Sequence, residues 1–134
     1  SFELHSDVTY DKFSSRIRNS KQQLLKLITE AKSQKEHVVG IGSPGRASTL
    51  LNYCKIDSDV MAYIAEQSTS LKLGLFMPGS HIPIIDEKVM LDEQPDIAVM
   101  LSWHYWQPIV NNLRKKGLKS KIIIPLPEVQ ILEP

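Results

Sequence analysis

The residues best equipped for chemistry stand together in Gly40-Ile41-Gly42-Ser43-Pro44-Gly45-Arg46. Gly40, Gly42 and Gly45 have the spacing G-x-G-x-x-G, which follows a short apolar run and precedes a helical pattern. In such a turn the small residues let the backbone approach a phosphate. The free amides of the first helical turn supply donors and partial positive charge, and Arg46 adds a full cation. The turn is expected to bind an anion through these amides and Arg46. The alternative stays open that the glycines serve only the steric needs of a strand-to-helix turn. Glu66 lies about 20 positions beyond Gly45, where a dinucleotide site places a carboxylate for ribose hydroxyls. An acidic residue that merely flanks a strand would look the same.

Two more loops are predicted at the same edge, because ligands in open α/β sheets gather beyond the carboxyl ends of the strands. One runs from Gln67 to His81, longer than a plain connection needs, and carries Lys72, Gly79, Ser80 and His81. The other, Ser102-Trp103-His104-Tyr105-Trp106, offers aromatic faces for stacking and an imidazole that donates or accepts. Trp103 and Trp106 serve a core equally well. The four histidines, His5, His37, His81 and His104, show no metal-ligand spacing, so no metal site is expected within the chain. G-x-S-x-G, Walker and H-E-x-x-H motifs are all missing, so the residues spell no complete hydrolytic or phosphoryl-transfer apparatus.

These loops need a scaffold. Between Asp7 and Lys35, Tyr10, Phe13, Ile17, Leu24, Ile28 and Ala31 recur at helical spacing, and the basic residues between them make a solvated face. Short apolar runs follow at 37–41, 60–65, 97–101 and 121–124, each nearly continuous, as in strands buried on both faces of a parallel sheet. Ile82-Pro83-Ile84-Ile85 suits an edge strand because of its proline. Helices are predicted over 46–54, 86–93 and 105–116. Asp86 caps the second, and Gly117 ends the third after Arg114-Lys115-Lys116. The expected architecture is a small Rossmann-like α/β domain over residues 1–134. Its mostly parallel sheet has four to five strands flanked by helices, with a long amphipathic helical segment (7–35) packing on the core (36–134).

With 16 Lys+Arg against 15 Asp+Glu, the charge of +1 argues against a protein built to grip a nucleic-acid backbone. At 42% hydrophobic and 23% charged, the composition excludes intrinsic disorder and fibrous repeats. A single cysteine, Cys54, permits no internal disulfide. It is expected as a small core residue in a reducing cytoplasmic setting. No apolar run is long enough to span a membrane, so no membrane partner is expected. The start at Ser1, without methionine, suggests a piece excised from a longer protein.

Three segments together resemble one family, the C-terminal domain of the S-adenosylmethionine-dependent sugar C-methyltransferases that act on nucleotide-linked keto-deoxysugars. GIGSPGRASTLLNYC (40–54) is similar to the family's G-Y-G-A-x-A-K-G-x-T-L-L-N. LKLGLFMPGSHIPI (71–84) is similar to K-x-G-x-x-x-P-G-T-x-I-P-I, and PDIAVMLSWHY (95–105) to P-D-x-x-x-x-L-x-W-N. Arg46 stands in place of the usual lysine, Ala47 of a glycine, Ser80 of a threonine and His104 of an asparagine. The resemblance implies a nucleotide-linked sugar as ligand. Gly42, Ser43, Gly45, Arg46 and Ser48 would lie near its phosphates, with Lys72, Gly79, Ser80, His81, Trp103 and His104 in the neighbouring loops. It further implies partner N-terminal and central domains that hold zinc and S-adenosylmethionine, while this chain binds no cofactor of its own. Methyl transfer to a carbon next to a ketone would belong to the central domain, leaving the isolated piece inert. Two other readings remain: an autonomous nucleotide-binding module of the NAD type, and a structural or dimerising domain without catalytic role.

Overall fold

In the central strands each side chain alternates between two apolar layers, which is why the runs in the sequence are continuous rather than alternating. A computed structural model of the chain describes residues 2–42, 47, 50–52, 54–77, 79–126 and 129–133, with backbone alone for 2–17. Helix α1 (Phe2–Ser33) is followed by β1 (Val38–Ile41), β2 (Ile64–Glu66), β3 (Ile84–Asp86) and α2 (Glu87–Glu93). Then come β4 (Ile97–Met100), a single 3-10 turn (Trp103–Tyr105), α3 (Trp106–Lys115), β5 (Lys121–Ile124) and β6 (Gln130–Leu132). Residues 47 and 50–52 are also helical.

The six strands form one sheet in the order β3-β2-β1-β4-β5-β6. The first five are parallel, and β6 returns antiparallel to β5. This corrects the expected four to five strands. Gln130 and Ile131 are exposed, so β6 has no buried apolar pattern to announce it, and the prolines at 125 and 127 read as loop. Strand β2 is also shorter than the 60–65 run. Val60 and Met61 fold into a turn on Asp57, their N–H groups donating to its carbonyl at 3.1 and 2.9 Å.

Val38, Ile64, Ile97, Val99 and Ile123 point to one layer, with Leu24, Ile28 and Ala31 of α1 and with Ala47, Leu50 and Leu51. Val39, Ile41, Ala65, Ala98, Met100 and Ile122 point to the other, with Met90 of α2 and with Val110 and Leu113 of α3. Full burial of each Leu, Ile or Val stabilises by about 1.5–3 kcal/mol, so the sheet holds its helices on both faces. Tyr10, Phe13 and Ile17 of the expected amphipathic face lie outside the described side chains. Cys54 is buried, and burial pushes its thiol pKa up against the opposing pull of Lys21.

Helix ends are set by left-handed residues. Gly117 (φ 103) closes α3: its N–H donates to Arg114 O and that of Leu118 to Leu113 O. Lys35 (φ 58) closes α1 in the same geometry without a glycine.

Candidate functional site

The order reverses between β1 and β4, so their carboxyl ends diverge into separate connections and leave a crevice, the place where open α/β sheets bind ligands. Gly42 stands at its mouth with φ +82, and a Cβ there would run into Ser102 Oγ at the end of β4. Glycine is therefore required twice at this position, by conformation and by contact. Gly40 has another explanation. An added Cβ would meet Leu101 Cδ1 and Met61 Sδ at 2.9 Å, so this first glycine of the motif serves core packing.

A cavity of about 300 Å³ opens at the crevice on the α3 side. Ile41, Ala65, Ile109 and Leu113 give it an apolar wall, while Gly42, Glu66, Gln67, Glu87, Ser102 and Asn112 supply its polar groups. Glu87 is tied to Lys116, Nζ to Oε1 at 2.6 Å. Asp86, just before it, is the N-cap of α2. Its Oδ1 accepts from Lys88 N and from Ser68 Oγ, each at 3.0 Å. These two hydrogen bonds, the backbone one foremost, hold the carboxyl below the usual range and fix the start of the 67–81 loop against α2.

The predicted site residues separate into groups. Ser43, Gly45, Arg46 and Ser48 lie outside the described residues. Trp103 is half-buried and packs against both apolar layers, so it closes the end of the sheet at the crevice. His104, exposed, lies beside it with ring centroids 5.4 Å apart, tilted by 42°. The 67–81 loop is more structured than a free connection. Its end doubles back so that Phe76 bridges Pro83, and Gly79, Ser80 and His81 sit at the tip. Gly79 (φ +83) closes on Asn52, whose side-chain atoms would stand 3.0 Å from an added Cβ. Thus the tip meets the helical segment that follows the glycine turn, on the α1 side of the sheet. Ser80 is 5% exposed, and its Oγ finds no hydrogen-bond partner among the described residues. His81 (φ 58) donates its N–H to Met77 O at 3.0 Å and points outward, exposed. Lys72 is exposed, and its N–H donates to Ser70 Oγ at 3.1 Å.

Gln67, Glu87, Ser102 and Asn112 were not among the predicted contacts. Ser102 is legible as the first residue past the 97–101 apolar run. Asn112 shares a face with Ile109 through helical spacing, but only the packing of α3 shows which face meets the cavity. Among the described residues no group of three or more His, Cys, Asp and Glu side chains is placed to hold a metal ion. Nor is any described helix long and apolar enough to cross a membrane.

A family model described as the C-methyltransferase C-terminal domain matches residues 1–127. The chain belongs to this family. As a C-methyltransferase C-terminal domain, it is also similar to the C-methyltransferase NovU of Streptomyces niveus, with 29% identity over 125 residues. That likeness covers 92% of the chain but only 29% of NovU. The chain therefore spans less than a third of the curated relative it matches. The family match includes the glycine turn, the 67–81 loop and the aromatic loop after β4.

Proposed function

We propose that the chain binds a nucleotide-linked sugar for an S-adenosylmethionine-dependent C-methyltransferase. The observation that carries this reading is the crevice between β1 and β4. There Gly42 is held at positive φ against Ser102, and a cavity with an apolar wall and a polar rim opens beside it. The order β3-β2-β1-β4-β5 is the one dinucleotide-binding sheets use, which supports a nucleotide and a Rossmann-like core. Backbone amides of the glycine turn, with Arg46, take the diphosphate. Trp103 and His104 border it, and the tip at Gly79, Ser80 and His81 faces the sugar end.

Methyl transfer itself is assigned to domains outside this chain. There a base would take the proton next to the ketone, and the resulting enolate carbon would bond to the methyl group as its bond to the sulfonium sulfur breaks and the neutral sulfide leaves. Zinc would be held by the N-terminal domain that the resemblance implies. This chain contributes binding and orientation, whose value is large: holding reactants in attack geometry supplies about 7–11 kcal/mol of a barrier.

Trp103 and Trp106 are the only tryptophans, and both follow closely on the carboxyl end of β4, so intrinsic fluorescence reports on this edge. Titration with nucleoside-diphosphate sugars should change it saturably, and Arg46→Ala should weaken binding about tenfold or more, the loss of a charge-assisted contact. Glu66 at the cavity rim favours a second reading, a dinucleotide module. Saturation by a nicotinamide dinucleotide and not by any nucleotide sugar would establish that reading instead.

A further inference from the structure

The cavity on the α3 side is too small for a whole nucleotide sugar. At about 300 Å³ it sits at the lower limit of small-molecule clefts, which run from roughly 300 to 1,000 Å³. Its chemistry is also wrong for phosphate. Glu66 and Glu87 are its charged groups among the described lining residues, and no lysine, arginine or histidine is among them. Glu87 is held by Lys116 and is 13% exposed, so it is a fixed part of the wall. Glu66 stands at the end of β2, in register with Asp86 of β3.

What remains suits a neutral, flat, partly polar group. Ile41, Ala65 and Leu113 form its nearly buried floor and Ile109 is half-buried, a narrow apolar strip against which part of a ring can lie. The amides of Gln67 and Asn112 each offer both a donor and an acceptor, as the edge of a nucleobase requires. A carboxylate at Glu66 accepts hydrogen bonds from pentose hydroxyls and repels phosphate.

We propose that this cavity is the nucleoside subsite, with Asn112 and Gln67 reading the base edge and Glu66 the pentose. The inference rests on the nucleotide-sugar reading and extends it. The ligand straddles the end of the sheet, its base and pentose on the α3 side and its diphosphate over the glycine turn.

The test is a methyl and amide NMR titration of the 134-residue chain with adenosine, guanosine, thymidine and uridine, and separately with inorganic pyrophosphate. At least one nucleoside is expected to shift the signals of Ile109, Asn112 and Leu113, while pyrophosphate leaves them unmoved and shifts Gly42. Glu66→Gln and Asn112→Ala, both on solvent-accessible side chains, should each weaken nucleoside binding about tenfold and leave pyrophosphate binding unchanged. If a nucleoside-diphosphate sugar binds the chain while no nucleoside touches these signals, the subsite is overturned and the nucleotide-sugar function stands. If neither a nucleoside nor a nucleotide sugar binds, both are overturned.

Discussion

Gly42 is the residue on which the geometry of the crevice turns, because its positive φ and its contact with Ser102 each forbid a side chain. Gly42→Ala should lower stability by about 2 kcal/mol, read from chemical unfolding. Ser102→Ala in the same chain should restore part of the loss, since it removes the oxygen that a Cβ meets but not the backbone strain. A second residue-level cluster lies at the opposite, amino edge of the sheet. Glu93 Oε2 accepts from Tyr63 OH at 2.9 Å and meets His37 Nε2 at 3.1 Å. These bonds, Tyr63 first, hold the Glu93 carboxyl below its ordinary value, while burial and then Glu93 push the Tyr63 phenol up. A depressed carboxylate stabilises the fold above its unfolded pKa and ceases to do so as pH falls through the folded value. A raised phenol acts in the opposite range, and its contribution declines as pH climbs past about 10. Tyr63→Phe should therefore flatten both arms of the stability profile and bring the Glu93 pKa, followed by carboxyl NMR, back toward about 4.3.

Among the elements, α3 does two tasks. Its apolar side seals the second layer, and Arg114 near its end clamps the last strand. Nη1 donates to Leu118 O and Ser120 O at 2.9 and 2.8 Å, and Nη2 to Glu133 O at 3.2 Å. Arg114→Met keeps the stem but removes the donors. It should cost about 1–3 kcal/mol and raise amide exchange across 130–132 well before the rest of the sheet opens. In the sequence Arg114 reads only as a cation at a helix end, because its tie to the carbonyl of Glu133, 19 residues on, leaves no local trace. Strand β6 was hidden because Gln130 and Ile131 are exposed and write no buried apolar run. By contrast β1, β4 and β5 were legible at sight, since burial on both faces writes an unbroken apolar run. Asp86 and Gly117 were legible as caps because capping is local chemistry.

At the scale of the whole molecule, sheet order and the sharing of helices between two faces place Gly42, Ser102 and Trp103 at one crevice, although they come from separate parts of the chain. The rule for open α/β sheets groups the glycine turn, the 67–81 loop and the aromatic loop at one edge. It did not show that the tip at Gly79 and Ser80 falls on the α1 side while the cavity opens on the α3 side. That division follows from which layer each strand residue faces, which only the register fixes. A groove of about 270 Å³ at the amino edge, lined by Asp96, Lys119 and Lys121, offers a control surface with cations of its own. The decisive measurement is a crystal structure of the chain with a nucleoside-diphosphate sugar. The account requires diphosphate density over Gly42 and Arg46 and a base beside Asn112. Density in the groove at Lys119 and Lys121, with the crevice between β1 and β4 left empty at saturating ligand, would contradict it.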